Sequence, residues 1–231
     1  MSNIEFSHSV SPYDCFTGFS GGLFMPAQIL DLYRTHRSEY SMPKAPKIVR
    51  VRAAQYLTIT GRGEPGGEAF TAALGALYGV TYTIRMSQKR LGQDYKVCKL
   101  EGLWWSGDGD GNSRLVAPPS NWNWKLLIRV PDFVTSEHVN EAKATLKEKG
   151  RDPEVREVEL EEIAEGTCVQ MLHVGPYAKE GETLAAMKRF AVEKGLEMHG
   201  KHHEIYVSDP SRVVEEKLKT ILRMPVRRTL G

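Results

Sequence analysis

Two stretches decide the fold: Tyr56-Leu57-Thr58-Ile59-Thr60-Gly61, which runs on to Glu68, and Val169-Gln170-Met171-Leu172-His173-Val174-Gly175, which runs on to Glu182. Each reads as a strand entering a glycine turn, and Gly61 to Glu68 has the same spacing as Gly175 to Glu182. A helix is expected after each turn. The first carries Phe70, Ala73, Leu74 and Leu77 at one-face spacing and closes at Gly79; the second carries Leu184, Met187, Phe190 and Ala191 and closes at Gly195. A strand opening in glutamate follows each helix, Glu101 to Ser106 and Glu204 to Ser208. Each half ends on a matching strand, Lys125 to Pro131 and Lys219 to Pro225. Ser136 is placed to cap a further helix over Glu137 to Lys149 that stops at Gly150.

Four matches in one order predict a duplicated strand–helix–strand–strand module and an α+β fold. The two copies are expected to pack about a pseudo-two-fold axis with their sheets facing a central cleft. The division is an N-terminal arm over residues 1–25, a first module over 26–135 and a second over 136–231, the two modules forming one domain. Within the first, Pro26 is expected to open a helix bearing Ile29, Leu30 and Tyr33. The prolines Pro43 and Pro46 then impose an extended path.

Composition narrows the function. The 231 residues are 41% hydrophobic and 26% charged, as in an ordinary globular protein. There is no apolar run near the ~20 residues of a membrane span, and the polar start, Met1 to Val10, lacks a secretory pattern. Lys plus Arg number 31 against 29 Asp plus Glu, which disfavours direct nucleic-acid binding. Cys15, Cys98 and Cys168 are odd in number and far apart, so they read as reduced thiols of a cytoplasmic protein.

Several motifs fail on context. Gly61 to Gly66 spells G-x-G-x-x-G, but Glu64 would oppose a pyrophosphate and no acidic residue lies between Glu68 and Asp94 to hold a ribose. Gly18 to Gly22 spells G-x-S-x-G without the strand and helix a nucleophile elbow needs. Asp108 to Asn112 starts like a calcium loop, yet Ser113 and Pro119 occupy the positions of its glycine and glutamate. His202 and His203 point to opposite faces of a strand and are poorly placed to share an ion, so neither metal nor cofactor is expected.

The aromatic residues and two glutamates carry the chemistry. Trp104 and Trp105 are adjacent in a strand and face opposite ways, whereas Trp122 and Trp124 alternate and share a face. Some of these rings are core; the rest, with Tyr177, Tyr206 and Tyr78, would wall a flat ligand. Glu204 shares a strand face with Tyr206, away from Ile205 and Val207. A carboxylate there demands a partner or a function. The repeat supplies Glu101 as its counterpart, and opposed glutamates among aromatics suit a lipophilic cation. Pairing with a basic residue at the sheet rim is the competing reading for either one.

The chain resembles the stand-alone GyrI-like small-molecule-binding proteins. The resemblance rests on Gly61 to Pro65, Ala76 to Tyr78 with Tyr82 to Ile84, Leu100 to Trp105, Arg129 to Val134, Leu172 to Tyr177 and His202 to Pro210. It departs at Lys99, where proline often stands, and in its long arm. The resemblance implies the tandem fold and a cleft for amphipathic, often cationic, aromatic drugs or toxins. Glu204 matches the family's pocket glutamate, and Trp104, Trp105 and Tyr177 match its aromatic positions. It also implies two alternatives: a hydrolase opening the cyclopropane of DNA-alkylating natural products, with Glu204 activating water and Tyr177 or Tyr206 assisting, or a protein-interaction role such as DNA gyrase inhibition.

Overall fold

The computed structural model describes residues 29–107, 118–151 and 154–229. The arm, Pro26, Cys15, the Gly18–Gly22 motif and the Asp108–Asn112 motif lie outside them. The elements run α1 (Leu32–Thr35), β1 (Lys47–Val51), β2 (Ala54–Arg62), α2 (Glu68–Arg90), β3 (Leu100–Ser106), β4 (Trp122–Arg129), α3 (Ser136–Glu148), β5 (Glu159–Ile163), β6 (Gly166–Val174), α4 (Glu180–Glu193), β7 (Leu196–Met198), β8 (His202–Tyr206) and β9 (Lys219–Arg228). Eight strands form one antiparallel path, β1-β6-β9-β8-β3-β4-β2-β5, and β7 pairs with β9 beside it. The fold is α+β, as expected.

The first segment runs β2-α2-β3-β4, while the second carries an additional strand, β7, between α4 and β8, and the two segments share their strands. β5 of the second segment pairs with β2, β1 of the first pairs with β6, and β3 pairs with β8 at the centre. The halves therefore meet edge to edge in one sheet, not as two sheets across a groove. Helix α2 packs on β2 and β4 while α4 packs on β6 and β9. The central strands β3 and β8 are left as the floor between them.

Local chemistry accounts for the helices. α2 does not close at Gly79; it continues for 23 residues because Val80, Ile84 and Gln88 prolong the buried stripe of Ala73 and Leu77. Gly79 faces α3, where a Cβ would make an ordinary contact with the Leu146 side chain at 3.6 Å. Glu68 in its first turn and Lys89 and Arg90 in its last match the helix dipole. In α3 the cap is Thr135, one residue before the expected Ser136: its hydroxyl accepts from the His138 N–H, and its own N–H donates to the His138 ring. Two glycines with positive φ, Gly150 and Gly195, end α3 and α4 as predicted. At the start, the apolar stripe of Ile29, Leu30 and Tyr33 yields only the four-residue α1: Ile29 is exposed and Leu30 bridges to Tyr95.

Register fixes which side chains share a face, because cross-strand partners point the same way. One line of partners runs Ile59, Leu126, Gly102, Glu204, Leu222 and Met171 on the helix-covered face. The next runs Thr58, Leu127, Glu101, Ile205, Ile221 and Leu172 on the opposite face. The main core lies between α2, α3 and the first line of strands (Leu57, Leu77, Ile84, Leu126 and Ile128), and a smaller one lies under α4 around Val169, Met187 and Leu222. The segment from Tyr33 to Pro43 crosses the opposite face, where Tyr33 stacks on Tyr40 with ring centroids 3.9 Å apart. It is tied down by Gln170 donating to the Ser41 carbonyl at 2.6 Å and the Leu172 N–H donating to the Pro43 carbonyl at 2.8 Å.

Candidate functional site

Glu204 stands at the centre of the floor on the helix-covered face, with 3% of its surface exposed. Tyr206, two residues along β8 and therefore on the same face, donates its O–H to Glu204 Oε2 at 2.8 Å. The Trp104 indole N–H donates to the Tyr206 oxygen at 3.0 Å, completing a chain from indole to phenol to carboxylate. Gly102 makes that chain possible. It is the cross-strand partner of Glu204, and a Cβ there would lie 2.8 Å from Trp104 Nε1 and 3.0 Å from the Tyr206 hydroxyl.

On one side, Phe70 at the start of α2 stacks on Trp104 at 5.9 Å, and Trp122 meets Trp104 edge-on at 6.0 Å. On the other, the Tyr177 ring, just before α4, meets Tyr206 edge-on at 6.0 Å. Burial, with the nearby Glu204 and Glu180 carboxylates, pushes the Tyr177 phenol up to about 12. Burial and Glu204 likewise raise the Tyr206 phenol well above its ordinary value. Both therefore remain O–H donors at neutral pH. A carboxylate offers about four lone-pair positions, so Tyr206 leaves acceptor capacity on Glu204.

Two more groups converge on the carboxylate. His202 Nε2 stands 3.1 Å from Glu204 Oε1 and 3.7 Å from Glu180 Oε2. Glu180, in the first turn of α4, was not among the residues singled out from sequence. Its signal was an acidic residue two positions after Ala178, at the start of a helix that follows the Pro176-Tyr177 turn. His202 had a signal too, since it precedes Glu204 by two in a strand and must share its face.

The other expected site residues separate from this group. Glu101 lies on the opposite face with no exposed surface. The expected equivalence of the two glutamates is off by one: with Lys125 aligned to Lys219, Leu127 corresponds to Ile221, and their strand partners are Glu101 and Ile205. A one-residue slip reverses the face. Trp105 also faces away, with the Lys201 ammonium 3.7 Å above its ring. Tyr78 stacks on Tyr82 and lines a groove of about 470 Å³ between α2 and α3 with Gly75, Gly79 and Leu146. Trp122 and Trp124 share a face as predicted, and it is the helix-covered one; Trp124 is core, lying directly over Gly61.

Glu101 belongs to a buried ion network. It meets His203 Nε2 at 2.9 Å and accepts from the Tyr40 hydroxyl at 3.1 Å. The other His203 nitrogen meets Glu165 at 2.9 Å, and Arg223 donates to Glu165 at 2.9 Å and to Gln170 at 2.8 Å. Arg129 donates to Glu39 at 2.7 Å. Burial pushes the His203 imidazole down, but Glu165 and Glu101 outweigh it and raise it to about 9. Burial likewise pushes Glu165 up, and His203 with Arg223 reverses that to about 2. With His203 protonated, each of the three carboxylates has cationic partners: Glu101 and Glu165 meet His203, Glu165 also meets Arg223, and Glu39 meets Arg129 and the more exposed Arg52 at 3.0 Å.

A family model described as the GyrI-like small molecule binding domain matches residues 126–227. An uncharacterized conserved protein from Listeria innocua is 39% identical with a TM-score of 0.78, the match covering 86% of this chain and 100% of that one. The chain belongs to the GyrI-like family. Two Listeria innocua structures described as hydrolases are also similar to this GyrI-like chain: one is 37% identical (TM-score 0.79, 87% of this chain and 100% of that one), the other 36% (0.76, 86% and 100%). No curated protein matches the chain. The GyrI-like chain has no helix among the described residues long and apolar enough to cross a membrane.

Proposed function

We propose that this GyrI-like protein binds amphipathic, often cationic, aromatic small molecules on the floor between α2 and α4. Glu204 supplies the anionic contact and Trp104, Tyr177 and Tyr206 supply ring faces and edges. One observation carries the reading: a nearly fully buried carboxylate held in place by a phenol and an indole between aromatic walls. A buried carboxylate is costly to desolvate, and a cation placed against it and the rings recovers ~0.5–2 kcal/mol per aromatic contact. The family match supports a small-molecule ligand. The test is titration with a fluorescent lipophilic cation; Glu204→Gln should weaken binding roughly tenfold, or ~1–2 kcal/mol. Equal affinity in the variant would refute the charge pairing.

A second reading is hydrolysis at the same floor, favoured by the two hydrolase-described relatives. For a cyclopropane conjugated to a carbonyl, Glu204 would take a proton from water as its oxygen bonds to a ring carbon. The ring C–C bond breaks, its electron pair moves to the carbonyl oxygen, and the Tyr177 phenol protonates that oxygen. Incubation with a cyclopropane-bearing alkylator distinguishes the readings. A ring-opened product that disappears with Glu204→Gln while binding persists supports the enzyme; its absence from the wild type leaves the binder.

A further inference from the structure

We propose that Glu180, His202 and Glu204 form a binding site for a divalent first-row transition-metal ion of the zinc class. The three offer one imidazole nitrogen and two carboxylate oxygens, all within 4.8 Å of one another. Two atoms bound to one zinc stand at most about 4.3 Å apart, given metal–ligand bonds of ~2.0–2.2 Å. The His202 distances of 3.1 Å to Glu204 and 3.7 Å to Glu180 already satisfy this limit. The two carboxylate oxygens lie within 4.8 Å of each other and have to draw together around an ion. The side chains are buried, with 1%, 2% and 3% exposure for Glu180, His202 and Glu204.

The backbone supplies the convergence. His202 and Glu204 are alternate residues of β8 and project from one face, while Glu180 comes from the first turn of α4. The same His202 nitrogen faces both carboxylates. A single N–H serves one acceptor well, whereas an ion serves both oxygens and the nitrogen together. Two carboxylates and a neutral imidazole carry the charge that a divalent cation cancels. Glu204 is also supported from behind, since its second oxygen accepts from Tyr206 and Tyr206 from Trp104. A nitrogen-plus-carboxylate set favours zinc, iron(II), cobalt(II) or manganese over calcium. Three protein ligands leave coordination positions for water or ligand.

The test is a cobalt(II) titration of chelator-treated protein, followed by visible d–d absorption, with zinc added to displace it. The expected result is one cobalt per chain with an absorption distinct from aqueous cobalt. His202→Ala and Glu180→Gln should each weaken binding at least tenfold. Circular dichroism checks that the variants fold, and the near-isosteric Glu180→Gln carries the test if His202→Ala does not. An aqueous-cobalt spectrum from the wild type, or undiminished binding in a folded variant, overturns the proposal. No organic ligand is present, so the result stands apart from the dye titration.

Discussion

Glu101 and Glu204 occupy neighbouring strands of one sheet, and both are buried, yet they keep different company. Glu101 is met by an imidazole and a phenol inside a cluster whose carboxylates all have cationic partners, closed over by the Tyr33–Pro43 segment. Glu204 is met by a phenol, an imidazole and a second carboxylate on the floor between two helices. Burial alone does not identify a working carboxylate. The first is balanced by the fold itself, which suits a scaffold; the second gathers negative charge, which suits an incoming cation.

The largest expected break in this contrast is Arg223→Met. It leaves Glu165 buried beside a reduced positive charge and should cost about 3–5 kcal/mol, read from the urea midpoint. The same cluster can be weakened by pH. His203 is raised to about 9, so its contribution is fully present below about 6.5 and is lost as pH climbs through 9. Glu165 is lowered to about 2, so its contribution is present above about 4.5 and is lost as pH falls toward 2. Stability should therefore be broadest between these limits and fall by on the order of 3 kcal/mol at the alkaline side. A urea midpoint that stays flat from pH 6 to about pH 10 would contradict the protonated His203.

Smaller effects sharpen the other side. Gly102→Ala pushes a methyl group into Trp104 and the Tyr206 hydroxyl, and should cost about 1–3 kcal/mol in thermal unfolding while also weakening the dye. An unchanged affinity would mean that the indole–phenol chain does not hold Glu204. The smallest effect is expected from Trp105→Leu on the far face. It removes the Lys201 contact for about 0.5–1 kcal/mol and should leave dye affinity as in the wild type, whereas Trp104→Leu should lower it.

Much of this was legible in the chain. Periodicity placed β2, β3, β4, β6, β8 and β9, and alternation separated Trp104 from Trp105 and joined Tyr206 to Glu204. Strands β1, β5 and β7 were missed because they are short and three glutamates interrupt the apolar pattern of β5. Pairing between strands is the harder quantity. Equating Glu101 with Glu204 by letter cost one residue of register, and one residue decides the face. Glu39 and Glu165 are invisible as partners because each reaches its contact through tertiary packing, with nothing local to announce it, and the helix-start position of Glu180 does not say which strand it faces.

The exchange of outer strands has a consequence for how the chain assembles during synthesis. The edge of β2 is covered only by β5, about a hundred residues downstream, and β1 has to wait for β6. As the first half leaves the ribosome it carries Tyr56 and Thr58 on a strand with one bare side, and it stays open until Ile163 has been made. Such long-range closure slows folding and leaves a temporary edge for other nascent chains to join.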